Sequence, residues 1–290
     1  MRAVVVGAGA WGTAVAHLLR GRGHDVVVAR RDTLDDAPYA EADLVVLAVP
    51  SHAFREVLER VGGDAPILSL AKGLDPSTGE RLSTLVRDRP VAVLSGPNMA
   101  EEVLAGLPGA TVIASQDDRL ALRLQEALTS LAFRVYVNDD VVGVELCGAA
   151  KNVIALAAGG VDGLGLGDNA KAALITRGLV EMARLGEAFG AEPETFSGLA
   201  GMGDLMVSCF HPTGRNRRAG ELIARGATPE AARAEIAQAV EGLTTAPVLR
   251  DLSRRIGVEL PITEGVCAVI EGQPLHELAA SLMGRRPTEE

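Results

Sequence analysis

Of the 28 basic residues in this 290-residue chain, 25 are arginine and three are lysine: Lys72, Lys151 and Lys171. Arginine stays charged at any workable pH, whereas a lysine amine can be tuned to give up a proton and take it back. A lysine kept against so strong an arginine habit marks a place for proton transfer or for a compact point charge. Lys151 lies in the helix-period run Glu145-Leu146-Cys147-Gly148-Ala149-Ala150-Lys151-Asn152. There Gly148, three residues back, offers a bare backbone on the same face, which a ligand could approach. Lys72 follows a strand-like run in Leu70-Ala71-Lys72-Gly73-Leu74. Lys171 follows a Gly-rich turn and is expected to be solvated, early in a helix capped by Asp168 or Asn169.

Other segments carry complementary chemistry. Gly7-Ala8-Gly9-Ala10-Trp11-Gly12 is a GxGxxG motif directly after a β-branched run and directly before a helical pattern. In that context Gly7, Gly9 and Gly12, with Ala10 and Trp11, form a dinucleotide pyrophosphate cradle. The second strand-like run ends in Arg30-Arg31, with no carboxylate to hold a ribose 2′-hydroxyl, so a 2′-phosphate and NADP(H) are favoured. Ser95-Gly96-Pro97-Asn98 leaves a later strand and could offer backbone N–H and amide donors. A further Gly-rich run, 198–203, ends in the carboxylate of Asp204. Gly214-Arg215-Asn216 places a guanidinium and an amide at an expected helix N-terminus, a suitable group for phosphate.

These residues need elements to position them. Up to residue 137 short β-branched runs (3–6, 25–29, 44–48, 67–70, 91–94, 111–114 and 133–137) alternate with helical patterns such as 12–20, 51–61 and 119–128. Little polar alternation within the runs points to a buried, mainly parallel, doubly wound sheet. Lys72 and Ser95–Asn98 would then stand at the carboxyl ends of strands, where open α/β sheets gather ligands. From residue 139 the pattern is all helical, opening on the cap pair Asp139-Asp140, with helices near 140–158, 168–189, 215–226, 229–239, 245–256, 263–271 and 275–283 and a fraying tail at 284–290. The expected organisation is a dinucleotide-binding domain over 1–138 and an all-α substrate domain over 139–290.

Composition bounds the partners. A formal net charge of −10 argues against nucleic acid. Three cysteines with no CxxC spacing read as free thiols in a reducing cytoplasm, and no His/Cys pairing has metal-ligand spacing. The apolar stretch 153–166 is broken by glycines and Asp162, so membrane insertion is not expected.

Taken together, GAGAWGTA (7–14), AVPS (48–51), KGL (72–74), SGP (95–97), KNVIALAAG (151–159), DGLGLGDNAKAALITRGL (162–179), PETFSGLAGMGDL (193–205), RNRRAG (215–220), EG (241–242) and PITEGV (261–266) resemble, in order and across nearly the whole chain, the bacterial-type NAD(P)-dependent sn-glycerol-3-phosphate dehydrogenases. The resemblance implies a Rossmann domain followed by an all-helical domain, and reversible reduction of dihydroxyacetone phosphate with NADP(H) or NAD(H), supplying glycerol 3-phosphate for phospholipid synthesis. It makes Lys151 the general acid/base, Asp204 its electrostatic partner, and Lys72 a lysine near both substrate and nicotinamide. It puts Gly96, Asn98, Gly214, Arg215 and Asn216 on the substrate side. Ala100, Glu241 and, again, Arg215 fall on the cofactor side. A small phosphorylated substrate is the expected partner, and a homodimer is compatible with the chain but not dictated by it. Three departures stand out: a shortened segment between Arg31 and Ala48, Asn98-Met99 where Ser-Phe is common, and Gly214 where Ser is common. The first lies near the adenosine end of the cofactor and bears on coenzyme preference. A hydroxy-acid dehydrogenase of similar layout would want a carboxylate-binding group in place of Arg215-Asn216, and a silent dinucleotide sensor would lack Lys151.

Overall fold

A computed structural model describes residues 1–278. The first part alternates β1 (Arg2–Val6), α1 (Ala10–Gly21), β2 (Asp25–Ala29), β3 (Leu44–Leu47), α2 (Ser51–Arg60), β4 (Ile67–Ser69), β5 (Val91–Ser95), α3 (Ala100–Leu104), β6 (Gly109–Ser115), α4 (Asp118–Leu128) and β7 (Phe133–Asn138). All seven expected strands form, and they join one sheet in the order β2-β1-β3-β4-β5-β6-β7. Every neighbouring pair is parallel except β5 and β6, which run antiparallel. β1, β3 and β4 are Val/Leu/Ile runs buried along nearly their whole length, because helices cover both faces. The chain goes outward from β1 to β2 and then returns to β3 on the other side of β1. That reversal opens a crevice at the carboxyl ends of β1 and β3, where dinucleotides bind in this architecture.

Beyond Asn138 the described residues are helical: α5 (Val141–Gly163), α6 (Gly167–Ala188), α7 (Pro193–Ser197), α8 (Asp204–Phe210), α9 (Arg215–Ala224), α10 (Pro229–Ile236), α11 (Glu241–Ile256) and α12 (Pro261–Ile270). Asp140 caps α5, accepting from the Gly143 N–H at 2.7 Å, while its other oxygen accepts from Glu192 N and Thr195 Oγ1. α5 is the central helix of the second core, and α6, α9 and α11 pack around it. By length and composition it could cross a membrane, but 89% of its apolar window is buried in protein.

Several sequence expectations change here. α5 runs on through Gly159, Gly160 and Gly163, because packing covers a stretch that isolated propensity would break. α6 begins at Gly167 behind Leu166, with no side-chain cap from Asp168 or Asn169. α7 and α8 were not expected, since the intervening glycines mask their periodicity; a π turn over Leu199–Gly203, closed by Gly203 N donating to Gly198 O at 3.1 Å, joins directly to α8. The helix expected at 275–283 begins within the described residues; its remainder and the tail 284–290 lie outside them.

Two contacts make the halves of the chain share cores. Leu74, from the loop after β4, is buried among α5 and α11 side chains. Ala200, from the π turn, packs with Val93, Val112 and Ala114 of the sheet.

Candidate active site

The centre of the cleft is a single carboxylate holding two amines. Asp204, the first residue of α8 and 2% exposed, accepts from Lys151 Nζ at Oδ1 (2.5 Å) and from Lys72 Nζ at Oδ2 (2.6 Å). Lys151 projects from α5, Asp204 from the end of the π turn, and Lys72 from the loop after β4, so the cluster forms only where the two parts of the chain meet. Ser208, one turn along α8 from Asp204, accepts from Lys151 Nζ at 2.8 Å, and Ser95 Oγ donates to Asp204 Oδ2 at 3.3 Å. Lys72 also donates to the Gly96 carbonyl at 3.2 Å.

Burial disfavours charge on Lys151 and is the largest influence on it. Asp204 opposes that effect, and the like charge of Lys72 reinforces it, so the amine comes down to about 8. Asp204 is held below the usual carboxylate range: burial pushes it up, but the two lysines outweigh that. The result is a buried ammonium that can release and regain its proton near neutral pH, beside a carboxylate that stays ionised.

Asn152 was not singled out in the sequence and proves to be part of the site. Its amide donates to the Lys72 carbonyl at 2.9 Å, and its oxygen accepts from Asn216 Nδ2 at 2.9 Å. Asn216 Oδ1 in turn accepts from Gly242 N at 2.8 Å. Both ends of the Asn216 amide are therefore engaged within the protein, and the residue expected to bind phosphate directly ties α9 to α5 and α11. Arg215 keeps its expected place as the first residue of α9, behind Gly214; it is exposed, with no ion pair to another described residue. Ser208 and Asn152 had signals that could have found them: Ser208 is four residues after Asp204, and Asn152 adjoins Lys151.

Asn98 is partly engaged within the protein: its amide donates to the Ala110 carbonyl and accepts from Thr111 Oγ1, both at 2.9 Å, so the side chain pins the turn against β6. Gly96 is buried against Thr111, and Ala100 is buried at the first position of α3. The bare backbone at Gly148 is not open to a ligand either: a methyl there would lie 3.5 Å from Lys72 Cγ, so the methylenes of Lys72 already cross it. Lys171, expected in solvent, is 5% exposed, pairs with Asp162 at 2.8 Å and lies 4.6 Å over the Phe210 ring. The same Asp162 oxygen accepts from Arg217 Nε at 2.6 Å, which pins the start of α9.

The dinucleotide side fits a nicotinamide coenzyme. Gly7 has φ +108°, and a methyl there would lie 2.4 Å from the Ala48 carbonyl oxygen across the crevice. On Gly12 a methyl would meet the Gly7 oxygen at 2.1 Å, whereas Gly9 faces open space. The cradle is thus tight behind and free in front, with exposed Ala10 starting α1 and Trp11 packed on Phe133. Arg30 and Arg31 are exposed after β2, with no ion pair to another described residue. Glu241, at the start of α11, accepts from Ser51 N at 3.1 Å and from Ser51 Oγ at 2.6 Å, closing the second half of the chain onto the start of α2.

A Rossmann sheet with a buried lysine-carboxylate cluster at its carboxyl edge, followed by a helical part, has the layout of a nicotinamide-dependent dehydrogenase. Residues 33–121 match the N-terminal family of NAD-dependent glycerol-3-phosphate dehydrogenase, and residues 140–279 match its C-terminal family. The chain is 42% identical to a glycerol-3-phosphate dehydrogenase [NAD(P)+] of Klebsiella pneumoniae, covering 99% of this chain and 96% of that one. It is 43% identical to that of Anaeromyxobacter dehalogenans, with full coverage of both. The crystal structure of glycerol-3-phosphate dehydrogenase from Coxiella burnetii superposes with a TM-score of 0.93 at 36% identity, over 98% of this chain and 99% of that one. The chain belongs to the NAD-dependent glycerol-3-phosphate dehydrogenase family.

Proposed function

We propose that the protein interconverts dihydroxyacetone phosphate and sn-glycerol 3-phosphate, with residues 1–138 binding the coenzyme and 139–290 carrying the substrate side. The observation that carries this reading is the buried Lys151–Asp204–Lys72 cluster between a fitting dinucleotide cradle and the unpaired guanidinium of Arg215. When bound, NAD(P)H supplies the hydride that the C2 carbonyl carbon accepts. Lys151 gives its proton to the carbonyl oxygen, so the ketone becomes a secondary alcohol; in the opposite direction the neutral amine takes the hydroxyl proton. Asp204 holds the amine in place and balances its charge. Lys72 lies on the nicotinamide side and keeps the Lys151 proton labile. Arg215, with the N–H groups at the start of α9, clamps the phosphate and orients C2, while Asn216 and Asn152 fix that helix start over the lysine. Gly7, Gly9, Ala10, Trp11 and Gly12 hold the pyrophosphate. Ala100, Lys72, Arg215 and Glu241 flank the rest of the coenzyme. Arg30 and Arg31 favour the 2′-phosphate of NADP(H). Free, buried Cys147, Cys209 and Cys267 suit a reducing cytoplasm, where the product would supply phospholipid synthesis.

The test is consumption of NADPH or NADH, followed by absorbance, with dihydroxyacetone phosphate as the acceptor. Turnover that depends on this ketone is expected, and coenzyme binding with no such turnover would remove the reading. Arg215→Ala should raise KM for dihydroxyacetone phosphate about ten- to hundredfold and change KM for NADPH far less, the loss expected of a charge-assisted phosphate contact. Equal effects on both would count against the phosphate role.

A further inference from the structure

Glu145 lies six residues before Lys151 on α5 and is 7% exposed, and its hydrogen bonds go to Arg81 and Ser83, not to Lys151 or Asp204. Its carboxylate is nonetheless fully used. Oε1 accepts from Ser83 N at 2.8 Å, and Oε2 accepts from Arg81 Nη1 at 3.0 Å and from Ser83 Oγ. Arg81 and Ser83 stand at the far end of the loop whose near end carries Lys72. That loop is stiff within itself. Leu74 and Arg81 pair as an antiparallel bridge, and Asp75 accepts from Ser77 N at 3.0 Å and Thr78 N at 2.9 Å. A stiff loop moves as a unit, so its attachment points decide where Lys72 sits.

Besides buried Leu74 and the contacts to Arg55 of α2 and Arg255 of α11, two of those points are on α5. Asn152 holds the near end through the Lys72 carbonyl, and Glu145 holds the far end. The two are seven residues apart and share a helix face, about 10 Å along the axis. Between them Gly148 leaves room for the Lys72 methylenes. The stripe Glu145–Gly148–Asn152 is thus a seat for the loop, with the ammonium of Lys72 delivered to Asp204 beyond it.

We propose that Glu145 is a positioning residue that, by anchoring Arg81 and Ser83, holds Lys72 in register against Asp204 and Lys151. This rests on the proton-donor role of Lys151 given above. The charged and titratable groups facing Lys151 are Asp204 and Cys209 from α8 and Lys72 from the loop; burial pushes the Cys209 thiol up to about 12, so it stays neutral. Arg81 faces Glu145, whose carboxyl burial pushes up against the opposing pull of Ser83 and Arg81. Releasing the loop withdraws Lys72, and with it a like charge that keeps the Lys151 proton labile.

Glu145→Gln preserves size and an acceptor for Ser83 but drops the ion pair. Its pH profile of kcat for ketone reduction should show the limb assigned to Lys151 moved upward by about half a unit, with kcat several-fold lower. Arg81→Gln, at a partly exposed position, should move the same limb in the same direction, and the double variant should move it no further. Arg81→Gln carries the test alone if Glu145→Gln does not fold. Lower thermal stability with an unmoved limb would overturn the proposal. Lys151→Arg is the control: if that variant keeps the limb, the proton-donor reading has failed instead.

Discussion

On the Lys151 amine three influences compete, and those that loosen the proton win. Burial loosens its proton, Asp204 tightens it and Lys72 loosens it again, with the outcome at about 8. Reduction needs the ammonium, so kcat/KM for dihydroxyacetone phosphate should fall as pH rises through about 8. Oxidation of glycerol 3-phosphate needs the amine and should rise over the same interval. Steady-state profiles run in both directions check this, and parallel profiles would reject Lys151 as the shared acid and base. Lys151→Arg keeps a cation beside Asp204 but cannot shuttle a proton, so turnover should drop by at least about a hundredfold. Turnover within tenfold of wild type would end the assignment.

At the scale of elements, the site depends on α9 lying close against α5. A methyl on Gly159 of α5 would lie 1.8 Å from the Arg217 carbonyl oxygen, and one on Gly220 of α9 would lie 1.9 Å from the Leu156 oxygen. Helices this close leave space for hydrogen only. Gly159→Ala or Gly220→Ala should therefore push α9 away, cost about 1–3 kcal/mol in denaturant unfolding, and raise KM for the phosphorylated substrate because Arg215 moves with α9. An unchanged KM in a measurably destabilised variant would show that α9 does not place the phosphate. A second element-level case is Glu181 of α6, which accepts from Ile262 N and Thr263 N at the start of α12. Burial pushes its carboxyl from 4.5 up to about 7, against those hydrogen bonds. The folded value is raised, so the associated stability is present below about pH 4.5 and is lost as pH rises through 7. Glu181→Gln cannot ionise, and its stability relative to wild type should improve across that window by at most about 3 kcal/mol. Denaturant unfolding at pH 4.5 and pH 8 checks this; a constant difference between the proteins would sink it.

For the whole molecule, the two parts are joined by more than a linker. Leu74 lies in the helical core, Ala200 packs on the sheet, and the Ser51–Glu241, Arg81–Glu145 and Lys72–Asp204 contacts cross between the two parts. Such shared burial predicts one cooperative transition. The fluorescence of Trp11, the chain's single tryptophan, should report unfolding of the N-terminal part at the same denaturant concentration at which circular dichroism reports loss of the helices. NADPH should raise the midpoint for both probes together. Two separated transitions would show that the parts fold independently.

What could be read in advance follows the range of the interaction concerned. All seven strands, the glycine turn at Gly7–Gly12 and the two lysines that meet in the cleft, Lys72 and Lys151, were legible, because β-branched runs, a strand–glycine–helix junction and scarce lysines are local signals. The glycines that pass unbroken through α5, the π turn before Asp204 and the burial of Lys171 were not, since each is stabilised by side chains distant in sequence. Asn98 and Asn216 mark the boundary most clearly. Residue type alone says only that an amide can donate and accept, and it took the folded chain to show that Ala110, Thr111, Asn152 and Gly242 had already claimed both ends of each. By itself, then, the sequence determined which chemical groups were available and the elements that would carry them. Only the tertiary structure decided which of those groups remain free for a ligand, because hydrogen bonds and ion pairs are short-ranged and are allotted when distant segments meet.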